Sequence, residues 1–137
     1  MNVQIAVSGL READGDRDEI SFITQGGFAP TPVGGVITYT DPGEGMEGTV
    51  TTVTVTARQI TIENRGAMNS RLIVEPGVTH ACQYDTGCGI LTMEITGETV
   101  ENRLQDFPKT LLFIYTLSIG GGVSRHTMKL ELRPTIG

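Results

Sequence analysis

Asp85, Thr86 and Gly87 form the tripeptide that carries the catalytic carboxylate in aspartic proteases. In those enzymes the carboxylate follows an apolar strand, and two such loops meet so that their aspartates share a proton. Here the tripeptide follows Gln83 and Tyr84 and occurs once. Asp and Gly are favoured turn residues, and Thr forms related turns. We therefore interpret the tripeptide as a turn or bulge between strands.

A second candidate for chemistry is the pair Cys82 and His80, which share one face of an extended segment. A catalytic base usually comes from a separate element that aims its nitrogen at the thiol, and buried cysteine commonly acts as a small hydrophobe. With Cys88, the chain has two cysteines and two histidines, without the spacing of a zinc site. We expect free thiols, with a reversible disulfide as the alternative, and no metal, cofactor or catalytic residues.

A glycine-rich segment and an acidic segment are candidates for a phosphate site and a calcium site. Gly120 to Gly122 is followed by renewed strand alternation and not by a helix, so it predicts a hairpin turn rather than a phosphate cradle. The acidic residues between Glu12 and Glu19 lack the spacing of a calcium loop. They predict a solvated hairpin.

These residues must be positioned by strands, because aliphatic and polar residues alternate along most of the chain. Turn signals recur about every ten residues, which is typical of antiparallel hairpins. Only 98–105 has weak helical character, and it is equally compatible with a strand. The 137 residues therefore predict one all-β domain, 1–137, with about eight to ten strands in an antiparallel meander. Closure into a barrel is favoured over an immunoglobulin-like sandwich, because the chain lacks tryptophan.

Polar or amphipathic side chains within apolar strands are the residues that could orient a ligand in such a barrel. The alternative is that they lie at the rim or bond to the backbone at strand ends. The candidates for ligand binding are Tyr39, Arg65, His80, Tyr84, Tyr115 and His126.

Charge and hydropathy exclude several partners. The net charge is −6 and the ten basic residues are scattered, which argues against nucleic acid. The longest apolar stretch, from Leu111 to Ile119, is too short for a membrane helix, and the N-terminus lacks the pattern of a signal peptide. We expect a cytoplasmic protein that binds neither nucleic acid nor membrane. A homo-oligomer is compatible with the sequence but nothing indicates one.

Several short motifs occur in a characteristic order: Tyr39-Thr40-Asp41, Gly48-Thr49 with Thr52, Arg65-Gly66, Tyr84 with Thr86 and Gly89, and Ile114-Tyr115-Thr116-Leu117. Their order and spacing, from about Val3 to Leu132, resemble the YwiB-like family, small bacterial proteins of unknown function. The resemblance implies a calycin-like, lipocalin-type β-barrel and no known activity. Gly87 and Cys88 depart from the Pro and aromatic residue usual in that family, and His126 or Thr127 stands where it tends to have Asn.

Two functions follow from these observations as hypotheses. The first is a barrel that binds a small apolar or amphipathic ligand in its interior. The second is a solid-core protein-interaction or structural module, with no ligand and no catalysis. An enzyme that uses Asp85, or Cys82 with His80, is less favoured than either.

Overall fold

A computed structural model describes residues 1–40, 48–66, 69–85 and 88–135. Residues 41–47, which contain one of the turn signals predicted between strands, lie outside these residues, as do Thr86 and Gly87. Within the described residues the chain forms strands and turns and no helix. The ten strands are β1 (Asn2–Ala13), β2 (Asp16–Thr31), β3 (Gly34–Thr40), β4 (Val50–Thr56), β5 (Gln59–Arg65), β6 (Asn69–Val74), β7 (Thr79–Asp85), β8 (Ile90–Arg103), β9 (Lys109–Ile119) and β10 (Gly122–Pro134).

The strands form a closed barrel in which each strand pairs antiparallel with the next, and β10 pairs with β1 to complete the circle. This confirms the predicted all-β meander barrel, at the upper limit of the predicted strand number. The segment 98–105, which had been ambiguous, is strand as far as Arg103. It pairs with β9 after a bulge between Gly97 and Thr99, so that tertiary pairing decides its conformation.

Two-residue turns join β1 to β2 and β9 to β10. Asp14 and Gly15 connect β1 to β2 with φ angles of 49° and 82°, and Gly120 and Gly121 connect β9 to β10 with 57° and 85°. Positive φ at both central residues matches the right-handed twist of the flanking strands. The acidic segment and the glycine run are therefore hairpin turns, as their sequences predict.

Alternation along each strand sends one set of side chains into the barrel. Phe28 of β2 lies opposite Ile37 of β3 and is almost fully buried. Its ring occupies the space beside Gly35, where an added Cβ would lie 2.5 Å from a ring carbon. The absence of a side chain at Gly35 therefore leaves room for the Phe28 ring.

The connection between β6 and β7 folds against β8. The two strands pair at only two positions, Asn69 with Asp85 and Ser70 with Tyr84. Their turn then packs on Gly97, where an added Cβ would lie 2.3 Å from the backbone oxygen of Glu75. Glycine at this position lets the turn approach the neighbouring backbone closely.

Candidate functional site at the mouth of the barrel

The two ends of the barrel differ in how far they expose inward-facing side chains. We call the mouth the end at which β1, β3, β5, β7 and β9 end and the strands that follow them begin. The base is the opposite end, with the N-terminus and the connections β2–β3, β4–β5, β6–β7 and β8–β9. Every connection in a meander of antiparallel strands belongs to one of these two ends.

Side chains fill the barrel at mid-height. Each of the ten strands contributes at least one buried hydrophobic side chain to a single cluster. Dense packing of this kind is normal for small barrels, whose interior is only wide enough for side chains. The cluster includes Val3, Ile5, Val7, Phe28, Ile37, Val53, Val55, Ile60, Val74, Ile95, Leu111, Phe113, Leu130 and Leu132.

The base is closed. Asn102 of β8 donates a hydrogen bond of 3.0 Å from Nδ2 to the backbone oxygen of Val33, in the β2–β3 turn. Leu104 and Lys109, at the two sides of the β8–β9 loop, are both buried. Contacts between these connections therefore cover the core at this end.

At the mouth, two inward-facing aliphatic side chains, Ile20 and Leu91, are exposed. Ile20 points inward like Phe22, which lies opposite the buried Val7. Leu91 points inward like Met93, which is buried two positions further along β8. Nevertheless Ile20 is 56% exposed and Leu91 is 47% exposed. Large aliphatic groups at interior positions thus meet solvent at this end of the barrel.

A stacked aromatic pair lies on one side of the mouth. Tyr115 and His126 are direct partners on β9 and β10, with ring centroids 4.9 Å apart and planes inclined by 5°. His126 Nε2 and the Ser124 hydroxyl share a hydrogen bond of 2.9 Å. Ser124 and Tyr115 are buried, whereas His126 is partly exposed. Stacking and hydrogen bonding together fix the orientation of the imidazole.

The surroundings of this pair disfavour charge on both rings. Burial raises the pKa of Tyr115 to about 12. Burial also lowers the pKa of His126 below its usual value, and the positive charge of Arg11 lowers it further. At neutral pH the pair therefore presents a neutral phenol and a neutral imidazole.

A chain of polar side chains lies on another part of the mouth. Thr51 Oγ1 donates to Asn64 Oδ1 at 2.7 Å, and Asn64 Nδ2 donates to Ser70 Oγ at 3.0 Å. The three residues are on β4, β5 and β6, in line with the inward-facing Val53, Ile62 and Leu72. This chain places amide and hydroxyl groups on the inner wall, where strand alternation would otherwise put aliphatic groups.

Four of the six predicted ligand-binding residues lie in the half of the barrel toward the mouth. They are Tyr39, Tyr84, Tyr115 and His126. Tyr39 is buried, with its ring centroid 6.1 Å from that of Phe22, and Tyr84 lies opposite Leu91. The structure therefore brings these four residues to one end of the barrel.

The other two predicted residues are elsewhere. Arg65 is at the rim but faces outward, where its exposed guanidinium lies 3.3 Å from the Glu63 carboxylate. His80 is toward the base, with Nε2 3.2 Å from Glu75 Oε1. Gln59 also donates to Oε1 of Glu75, and the hydrogen bonds from Gln59 and His80 hold the pKa of that carboxyl below its usual range. Neither Arg65 nor His80 contributes to the mouth.

The comparisons with known proteins agree with this architecture. A family model described as a domain of unknown function, DUF1934, matches residues 5–132. The chain belongs to the DUF1934 family. Among solved structures, the ywiB protein from Bacillus subtilis is similar over 98% of this chain and 92% of its own, with a TM-score of 0.88 and 17% identity. No curated protein is significantly similar in sequence. The resemblance to YwiB-like proteins is confirmed, and at this identity the structural match establishes the fold alone.

In this DUF1934 barrel the candidate nucleophile Cys82 and its candidate base His80 contact different groups. The thiol of Cys82 is buried and faces the backbone oxygen of His80 at 4.0 Å, while the imidazole contacts Glu75. Cys88 is exposed, and both cysteines are in the thiol form. Ser124 and His126 resemble a nucleophile and its base, but they share one strand and the hydroxyl is only 8% exposed. The hydrogen bond between them orients the imidazole.

Among the described residues of the DUF1934 domain, no three His, Cys, Asp or Glu side chains are grouped so that they could hold a metal ion. The same residues contain no helix of the length and hydropathy needed to cross a membrane.

Sequence reasoning missed several residues of the mouth in this DUF1934 domain. Thr51, Asn64, Ser70 and Ser124 are polar and were not among the candidates, although each has an inward orientation. The signal was strand alternation, because Asn64 follows Ile60 and Ile62 at intervals of two. Arg65, the predicted candidate, follows Asn64 directly and therefore points to the outer face of the strand.

Proposed function

We propose that this protein binds a small amphipathic molecule at the mouth of the barrel. The observation that carries the proposal is the exposure of Ile20 and Leu91, which occupy inward-facing positions and are 56% and 47% exposed. Apolar surface that faces inward and is exposed is surface that a ligand can cover. A ligand that covers both side chains would remove that surface from water, which favours binding.

The polar groups of the mouth suit the other end of such a ligand. The Thr51–Asn64–Ser70 chain has hydroxyl and amide groups, and the Tyr115–His126 stack has a neutral imidazole at its exposed side. A few fixed polar groups beside an apolar wall determine how a bound molecule is oriented. The ligand class is therefore an uncharged amphipathic molecule with hydrogen-bonding groups at one end.

The proposed position differs from the ligand in the barrel interior that we expected from the sequence. Side chains such as Phe28 and Phe113 fill the interior at mid-height. Displacing them would create strain and lose packing that stabilises the fold. We therefore assign the ligand to the mouth, above this packed layer.

The proposal is tested by fluorescence titration with a neutral probe, N-phenyl-1-naphthylamine. One double variant carries Ile20→Lys and Leu91→Lys, both facing inward. The matched control carries Ile23→Lys and Ile90→Lys. These residues are on the same two strands, face outward, and are 67% and 64% exposed. Both variants gain the same charge, so a difference between them reports the position of the probe.

We expect the inward variant to bind the probe at least about tenfold more weakly than the parent, because a buried ammonium group is costly. The outward variant should remain within about twofold of the parent. Equal loss in both variants, or in neither, would refute binding at the mouth. Native mass spectrometry of the purified protein, before and after solvent extraction, would identify a co-purifying ligand.

A solid-core interaction module is the second candidate function. The filled core and the outward exposure of Ile23 and Ile90 favour it. An outer groove beside Ile23 on β1, β2 and β10, with a volume of about 480 Å³, offers a docking surface. If a purified partner is found, loss of its binding in the outward variant alone would support this function.

A further inference from the structure

Lys109 is a buried cation at the base of the barrel. It begins β9 opposite Leu132, and its side chain is directed into the barrel, so that the residue is only 7% exposed. Lysine is almost never buried to this degree unless it is paired. The only other lysine of the chain, Lys129, is exposed on β10.

The ammonium group of Lys109 has neutral neighbours. Nζ donates to the backbone oxygens of Leu104 and Gln105, each at 2.9 Å. It also lies over the rings of Phe28 and Phe107, 5.3 Å and 4.6 Å from their centroids. Within the described ranges no carboxylate lies at ion-pair distance from Nζ. The positive charge is solvated by dipoles and aromatic faces, but no described anion neutralises it.

A pocket of about 230 Å³ adjoins this ammonium group. The β2–β3 turn forms one wall, from Pro30 to Gly34, and the other wall comes from Asn102, Leu104, Gln105 and Lys109. The lining contains this one cation and no acidic residue. Two of the three ammonium protons are used by carbonyl oxygens, so the group has one further N–H to donate.

A second donor faces the same pocket. The hydroxyl oxygen of Thr31 accepts a hydrogen bond from the backbone nitrogen of Gly34, which leaves the hydroxyl proton free to donate. Pro30, Pro32 and Val33 supply apolar surface around these donors. One positive charge, one hydroxyl and apolar walls suit a monoanion with a short hydrocarbon tail better than a divalent, strongly hydrated phosphate.

We propose that the base pocket binds a short-chain monocarboxylate, with Lys109 as its charge partner. The carboxylate accepts the third N–H of Lys109 and the hydroxyl proton of Thr31, and the tail lies against the proline walls. This site is at the opposite end of the barrel from the proposed amphipathic-ligand site. Failure of either proposal would leave the other unaffected.

The test uses butyrate and nuclear magnetic resonance of the lysine side chains. Protein labelled with ¹³C at lysine Cε has two lysine signals, so each signal is assigned by a single variant. We expect butyrate to shift the Lys109 signal saturably and to leave the Lys129 signal in place. Sodium chloride at the same ionic strength should produce no saturable shift. Absence of a butyrate-specific shift at Lys109 would overturn the proposal.

Two variants provide the specificity test. Val33→Glu places a carboxylate at the exposed rim of the pocket, where it competes with butyrate without altering the core. We expect it to weaken butyrate binding at least about tenfold. Lys109→Met should abolish binding, and Lys129→Met should retain the affinity of the parent. If Lys109→Met fails to fold, the comparison of Val33→Glu with Lys129→Met decides, and equal affinity in those two variants would refute the site.

Discussion

The imidazole of His126 lies flat against the phenol of Tyr115, with ring centroids 4.9 Å apart and planes inclined by 5°. The two residues face each other across β9 and β10, and Ser124 fixes the imidazole through Nε2. Because the stack is largely covered, ionisation of either ring would place a charge where solvation is poor. The ionisation of these two rings therefore depends on how well the mouth is solvated.

The phenol of Tyr115 should ionise late. Burial raises its pKa from 10 to about 12, so the folded state favours the neutral phenol. The resulting contribution to stability is fully present below pH 10 and is lost as the pH rises toward about 12. Phenolate absorbance during an alkaline titration should include a step near pH 12. Tyr115→Phe should remove that step; its persistence in the variant would contradict the assignment.

His126 should make the protein less stable as the solution becomes acidic. Its pKa is lowered in the folded state, so the unfolded chain binds the proton more strongly. The stability that the neutral imidazole contributes is therefore present above pH 6.5 and is lost as the pH falls through the lowered pKa. The Tm, measured by calorimetry from neutral to acidic pH, should fall less steeply in His126→Gln than in the parent.

Arg11 contributes to the lowered pKa of His126 through its charge. We expect Arg11→Gln to raise the pKa of His126, measured from the imidazole proton resonances. Arg17→Gln, also on the β1–β2 hairpin, is the control, because Arg17 is not among the causes of the shift. A pKa that rises equally in both variants would indicate a general effect of net charge instead.

The packed core beside Gly35 should not tolerate an added methyl group. A Cβ there would lie 2.5 Å from the Phe28 ring, whereas a Cβ at Gly27 would meet nothing closer than 3.9 Å. We expect Gly35→Ala to lower the free energy of unfolding by about 1–3 kcal/mol. Gly27→Ala should change it by less than about 1 kcal/mol. Chemical denaturation of both variants measures the difference, and equal stabilities would show that the core at Phe28 is loosely packed.

Much of the fold could be predicted because apolar and polar residues alternate along the strands in the sequence. The inward faces of β4 and β9, for example, are apparent from Val53 and Val55 and from Phe113 and Tyr115. The turn residues at Asp14-Gly15 mark a hairpin by their conformational preferences. Local physics therefore predicts the elements and their order.

The site was less predictable because it depends on where strands end relative to one another. Alternation shows that Leu91 faces inward, but only the stagger of the strands leaves it half exposed while Met93 is buried. Similarly, nothing local places Glu75 beside His80, since their contact depends on the fold of the β6–β7 turn. Lys109 would be expected at the surface from its residue type, and the loop carbonyls that solvate its charge become visible only in three dimensions.

Methyl nuclear magnetic resonance of the isoleucine and leucine side chains tests ligand binding at the mouth. During titration with N-phenyl-1-naphthylamine, we expect saturable shifts of the Ile20 and Leu91 methyl signals. The signals of their outward-facing neighbours Ile23 and Ile90 should remain in place. Shifts confined to Ile23 and Ile90, or no saturable shift at all, would contradict the account.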